Sequence, residues 1–175
     1  MNTSQPIHSD KDGLMDEQQL AAFVPQMPEY IDGATDFAVL SVPGHDSRGV
    51  WRMRFAPALV VMRIHKNVAL AITAGLALDV PFSMETSHYV NHLNASQLTV
   101  GRMFVKEFEG TGRGAVVMQE MIFCQDMVGN PSLSTLLRMT GKLGALAGRL
   151  APGVCERLGG HIPPDDADLL ILTLE

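Results

Sequence analysis

The chain has 175 residues, 46% of them hydrophobic and 18% charged, with a formal net charge of −6. That supplies apolar material for one real core, at a length that fits a single domain. No apolar run reaches the roughly 18–20 residues of a membrane helix, and Cys124 and Cys155 fit no metal or redox spacing, which excludes a disulfide scaffold.

Residues 1–13 are polar and unpatterned and read as a disordered segment. Residues 16–24 could form a short helix stopped by Pro25 and Pro28. A short strand is predicted over residues 37–42, followed by turn chemistry at 43–49. Trp51, Met53 and Phe55 alternate with Arg52 and Arg54, the pattern of a half-exposed strand. Strand character continues over 58–65 after a break at Pro57. In the next run, Val68, Leu70, Ile72, Leu76, Leu78 and Val80 alternate with Ala69, Ala71, Thr73, Gly75 and Ala77. As a strand this has one bulky face and one small face, and a small face lets another layer or a ligand come close. A buried helix over the same residues stays open, because they are also good helix formers.

Ser83 can cap a helix running to about Leu93, with Asn94 as its stop. His88 and His92 are four apart and share a face, the spacing of helical metal pairs. Tyr89, not glutamate, follows His88, and no third ligand suggests itself, so two partly solvated histidines are the default. Residues 97–107 and 115–124 are rich in β-formers and flank residues 110–114, Gly-Thr-Gly-Arg-Gly, as a hairpin. A strand follows those glycines instead of Lys-Ser/Thr and a helix, which speaks against a phosphate loop.

The last helix starts at Asn130 as N-cap with Pro131 in its first turn. Leu133, Leu136, Leu137, Leu143, Leu146, Ala147 and Leu150 place one apolar stripe along it, and Pro152-Gly153 should end it. Gly141, Gly144 and Gly148 each cost about 0.5–1 kcal/mol relative to Ala, so close approach to a sheet or to a second copy of the helix should offset them. Beyond residue 160 the chain is Pro- and Asp-rich, then apolar at 169–172. It reads as a tail that adds an edge strand or lies along a groove. The expected domain spans 14–160, with 161–175 as the tail.

Charge is unevenly placed. Residues 1–36 carry seven acids and one base and residues 161–175 four acids and no base, leaving eight acids and twelve bases between them. The bases are scattered, without the clusters of a nucleic-acid binder, and read as solvated surface. An N-terminus with no basic region before an apolar segment argues against a secretory signal and for the cytoplasm. The eleven methionines are either core filler or, as a group, an adaptable binding surface.

Residues 35–155 resemble the YbjN-like family, whose fold is similar to that of type III secretion chaperones. The resemblance rests on "HYVNHLNASQLTVGRMFV", "GAVVMQEMIF" and "LSTLLRMTGKLGALAGRLAP". It implies an α+β fold, an antiparallel sheet with helices packed on one face, often as a homodimer, and binding of protein segments rather than catalysis.

The expected function is therefore a non-enzymatic, chaperone-like or regulatory protein-binding module. It would need no cofactor or metal and would act on a protein partner, not on nucleic acid or membrane. The candidate surface is Leu70, Ile72, Met103, Val105, Met118 and Met121, taking a segment by strand addition or groove packing. A small-molecule enzyme or binding protein using His88 and His92 with Asn91 or Glu85 is the alternative. A third reading is a subunit whose helix glycines let two copies approach closely.

Overall fold

A computed structural model describes residues 37–41, 50–65, 69–98, 100–123 and 130–169. The expected disorder at 1–13, the helix at 16–24, the turn at 43–49, Cys124, Met127 and the apolar end after Leu169 lie outside the described residues. So do the side chains of Leu133, Leu136 and Leu137.

Among the described residues six strands, β1 (Phe37–Ser41), β2 (Trp51–Phe55), β3 (Ala58–His65), β4 (Ala69–Pro81), β5 (Arg102–Phe108) and β6 (Arg113–Phe123), form one sheet. Every neighbouring pair is antiparallel, in the order β1-β2-β3-β4-β6-β5. Two helices, α1 (Met84–Ser96) and α2 (Asn130–Leu158), pack against it. The fold is α+β, as the order of elements implies.

The run from Ala69 to Pro81 is a strand, not a helix. Its alternation places Leu70, Ile72 and Ala74 toward the helices and Ala71, Thr73 and Gly75 on the opposite face. One phase does not hold to the end, because bulges fall between Gly75 and Ala77 and between Leu78 and Val80. After the first, Leu76 and Ala77 both join the helix-side core, while Leu78 packs with the opposite cluster. At the second, Asp79 takes φ 59°, a region that Asp tolerates better than most residues.

Register explains the methionines. Met53 pairs with Val60, Val60 with Ala74, Ala74 with Met118 and Met118 with Met103, one row across five strands. That row faces the helices and is buried, together with Met62. These four methionines fill core.

Helix α1 starts as expected: Ser83 Oγ accepts from the Thr86 N–H at 3.2 Å. It does not stop at Asn94 but runs to Ser96, with Gln97 as C-cap, so β5 begins at Arg102 and not at Gln97. Asn94 has another task. Its Nδ2 donates to the Met103 carbonyl and its Oδ1 accepts the Met103 N–H, both at 2.8 Å. The amide thus takes the place of a neighbouring strand at one point of an exposed sheet edge.

Helix α2 also outruns its predicted end, passing through Pro152 to Leu158. Leu143, Leu146, Ala147, Ala151 and Val154 are its buried stripe. Of the two alternatives for the helix glycines, Gly144 and Gly148 take the first and face the chain's own sheet. A Cβ on Gly144 would lie 2.4 Å from Phe55 Cγ, and one on Gly148 would lie 2.9 Å from the Phe55 and Ala56 carbonyl oxygens. With side chains there the helix could not settle on the β2–β3 corner.

The chain does not leave the domain at residue 160. Beyond the start of β3, Leu78 exchanges two backbone hydrogen bonds with His161, at 2.8 and 3.0 Å. Ile162 still packs on the helix-side core; residues 163–169 then cross the sheet face opposite the helices, and Leu169 is fully buried there. The segment expected as a tail is, through Leu169, a structural layer.

Candidate functional site

The face opposite the helices is the functional candidate, and its residues can be read as cross-strand rows. One row runs Arg54, Leu59, Gly75, Val117 and Phe104 from β2 to β5; the next runs Arg52, Val61, Thr73, Gln119 and Arg102. A third, shorter row joins Arg63, Ala71 and Met121. Gln119 Nε2 donates to Thr73 Oγ1 at 3.1 Å, which holds the middle of the second row together. All three rows begin on an arginine at the β2–β3 side, but only the second ends on one, Arg102; the first ends on Phe104 and the third on Met121.

The β2 end is occupied by the chain itself. Arg54 donates from Nη1 to the Pro57 carbonyl at 2.6 Å and to the Pro163 carbonyl at 3.1 Å, and from Nε to Asp165 Oδ1 at 2.8 Å. Its Nη2 makes a further ion pair with the same carboxylate. Arg52, only 8% exposed, donates from Nη1 to the Ala167 carbonyl at 2.7 Å and to the Asp165 carbonyl at 3.3 Å. Several donors in fixed geometry suit guanidinium to reading carbonyls and a carboxylate together. Apolar contact completes the seat. A Cβ on Gly75 would lie 2.8 Å from Pro163 Cγ and 3.0 Å from the Leu169 methyl carbons, so the glycine makes the hollow that those two side chains fill. The small face of β4 does admit another layer.

The β5 end is open. Gly101, Arg102, Phe104, Gln119, Glu120 and Met121 line a shallow hollow of about 440 Å³. A second hollow of about 490 Å³ adjoins it toward α1 and shares Gly101, Arg102 and Glu120. Glu120 accepts the Gly101 N–H at 2.7 Å, which ties down the entry to β5. Arg102 is exposed, while Phe104 and Met121 are half-buried and give the first hollow its apolar floor.

The six sequence-derived surface candidates separate. Leu70, Ile72 and Met118 are 0% exposed and Met103 3%, all within the core under the helices. The correction is physical: strand alternation turns these residues inward, and a partner could reach them only by displacing a helix. Val105 is half-buried against that same core. Met121 alone of the six lines the open hollow. The residues missed were Arg52, Arg54, Gly75, Arg102, Phe104 and Gln119. A signal for some was present, since Arg102, Phe104, Lys106 and Phe108 alternate as basic and aromatic along one strand face.

His88 and His92 are both exposed on α1. Among the described residues no three His, Cys, Asp or Glu side chains are grouped to hold a metal ion. Cys155 is half-buried, its Sγ donates to the Leu76 carbonyl at 3.4 Å, and burial pushes its thiol pKa up, which keeps it protonated and unreactive. No helix among the described residues is long and apolar enough to cross a membrane.

Fold and site together define an α+β protein whose sheet carries helices on one face and an arginine-held chain segment on the other. No family model, no curated protein and no solved structure matches this chain.

Proposed function

We propose that this is a non-enzymatic protein-binding module, chaperone-like or regulatory, that takes a segment of a partner protein on the helix-free face of its sheet. The observation that carries this reading is the open hollow over Phe104 and Met121, which continues the face already covered at its other end by residues 163–169. A floor of one aromatic and one thioether side chain suits apolar partner residues of differing shape. The polar rim of Arg102, Gln119 and Glu120 suits a partner main chain.

Packing into the hollow is favoured over strand addition, because Asn94 already occupies the outward backbone groups of Met103 on the edge strand. The resemblance to chaperone-like proteins agrees with this function, and a homodimer rests on that resemblance alone.

Photo-crosslinking tests the proposal. A photo-reactive methionine analogue at position 121 should join a defined partner segment, and Phe104→Ala should abolish the product while leaving the melting temperature within a few degrees. Crosslinking that survives Phe104→Ala, or none at position 121, would refute it.

A further inference from the structure

We infer that the partner segment is acidic, with an aliphatic residue beside its carboxylates, and that Arg102 reads it as Arg52 and Arg54 read residues 163–167. This deepens the reading of the open hollow and rests on it.

The first argument is charge. The strands give the helix-free face six bases, Arg52, Arg54, Arg63, Arg102, Lys106 and Arg113, and the strand acid beside them is Asp79, at the second bulge, which Arg113 binds. The nearest carboxylate at the hollow is Glu120, which pairs with Ile72 on the helix-side phase and is engaged by the Gly101 N–H. In a protein of net charge −6, Arg54 is answered by Asp165 of the crossing segment and Arg113 by Asp79, so the charge left for a ligand lies toward Arg102 at the β5 end. That charge raises the local concentration of anionic segments and disfavours basic ones.

The second argument is the occupied end of the same row. Arg52 and Arg102 terminate one cross-strand row, about 19 Å apart at four strand spacings. At the Arg52 end the sheet accepts a stretch whose carboxylate and three carbonyls are bound by guanidinium groups. The aliphatic and ring side chains of that stretch, Leu169 and Pro163, drop onto small strand residues. The Arg102 end repeats the components: an exposed guanidinium beside an apolar floor made by Phe104 and Met121. Among the described residues no hydrogen bond or ion pair engages Arg102. Its rigid fork of donors is matched to carboxylate and carbonyl oxygens.

The probe is a labelled synthetic peptide with the sequence of residues 161–170, compared with a counterpart in which its three Asp are Asn. Both are titrated into the full chain at low salt and followed by anisotropy. The acidic peptide should bind roughly tenfold more tightly than the neutral one, and Arg102→Glu should remove that preference. Raising the salt to about 0.5 M should do the same, as screening requires. Arg102 is exposed, so its variant should keep the fold, which its melting temperature checks. Equal binding of both peptides, with Phe104→Ala weakening both, would overturn the acidic preference and leave the docking reading standing. Binding of neither peptide, or binding indifferent to Phe104→Ala, would overturn both. A short DNA oligonucleotide that displaces the acidic peptide from Arg102 would overturn the assignment to protein.

Discussion

Asn94 and Met103 form a two-bond pair in which a helix side chain stands in for a missing strand, with both contacts at 2.8 Å. The pair joins α1 to the edge of the sheet and blocks further pairing at that point. Loss of either partner group leaves a backbone donor and acceptor without their match, at about 1–3 kcal/mol. Asn94→Ala should lower stability by that order and raise hydrogen exchange at the Met103 amide above that of its neighbours. It should also increase self-association, because an unblocked edge is a template for another strand. Unchanged exchange at Met103 would show that the pair does not form in solution.

The contact between α2 and the β2–β3 corner yields a paired prediction. Gly144→Ala drives a methyl group into the fully buried ring of Phe55, which has no room to withdraw. Overpacking of this kind costs about 1–3 kcal/mol. Gly153 lies on the same helix, and a Cβ added there would meet nothing within 4 Å, so Gly153→Ala should instead stabilise by about 0.5–1 kcal/mol. Chemical denaturation of the two variants should give opposite signs.

Gly75 governs the layer on the other face. In Gly75→Ala the new methyl group overlaps Pro163 and Leu169, and the Pro163 ring cannot rotate away freely. The variant should release residues 163–169, seen as faster limited proteolysis there, while the amides of α2 keep their protection. Leu169→Ala should loosen the same segment without the steric clash. If proteolysis is unchanged in both, the segment is not held by that hollow.

Asp79 and Arg113 predict a pH effect. The hydrogen bond from Arg113 Nε, at 2.8 Å, is the largest influence on the Asp79 carboxyl and lowers its pKa against an opposing effect of burial. The charges of Arg113 and His161 lower it further. A folded pKa below the unfolded one means stabilisation that is present above the ordinary carboxylate range and is lost as pH falls toward the folded value. Both side chains are exposed, so the stability effect should be small. NMR titration is the cleaner measurement: the Asp79 midpoint should rise toward the ordinary range in Arg113→Ala. A midpoint that does not move would mean that the pair is absent in solution.

The amino-acid sequence by itself determined the order of elements, because that information is local. Periods of two residues in β2, β4, β5 and β6, the Ser83 cap and the apolar stripe through Leu143, Leu146 and Ala147 can each be read without a neighbour. Ends of elements were less legible: α1 and α2 both continue past residues that suit a stop, since packing on the sheet outweighs a weak local terminator. What each face meets was decided only by the tertiary structure. A strand pattern separates two sets of side chains but does not say which set a helix will cover, so Met103 and Met118 read equally as surface or as core. The same holds for Arg52 and Arg54, which look solvated until a segment 109 residues or more away folds back onto them. Strand pairing across long sequence separations places the hollow at Phe104 and Met121 opposite that arginine-held segment, and no local rule encodes such a meeting.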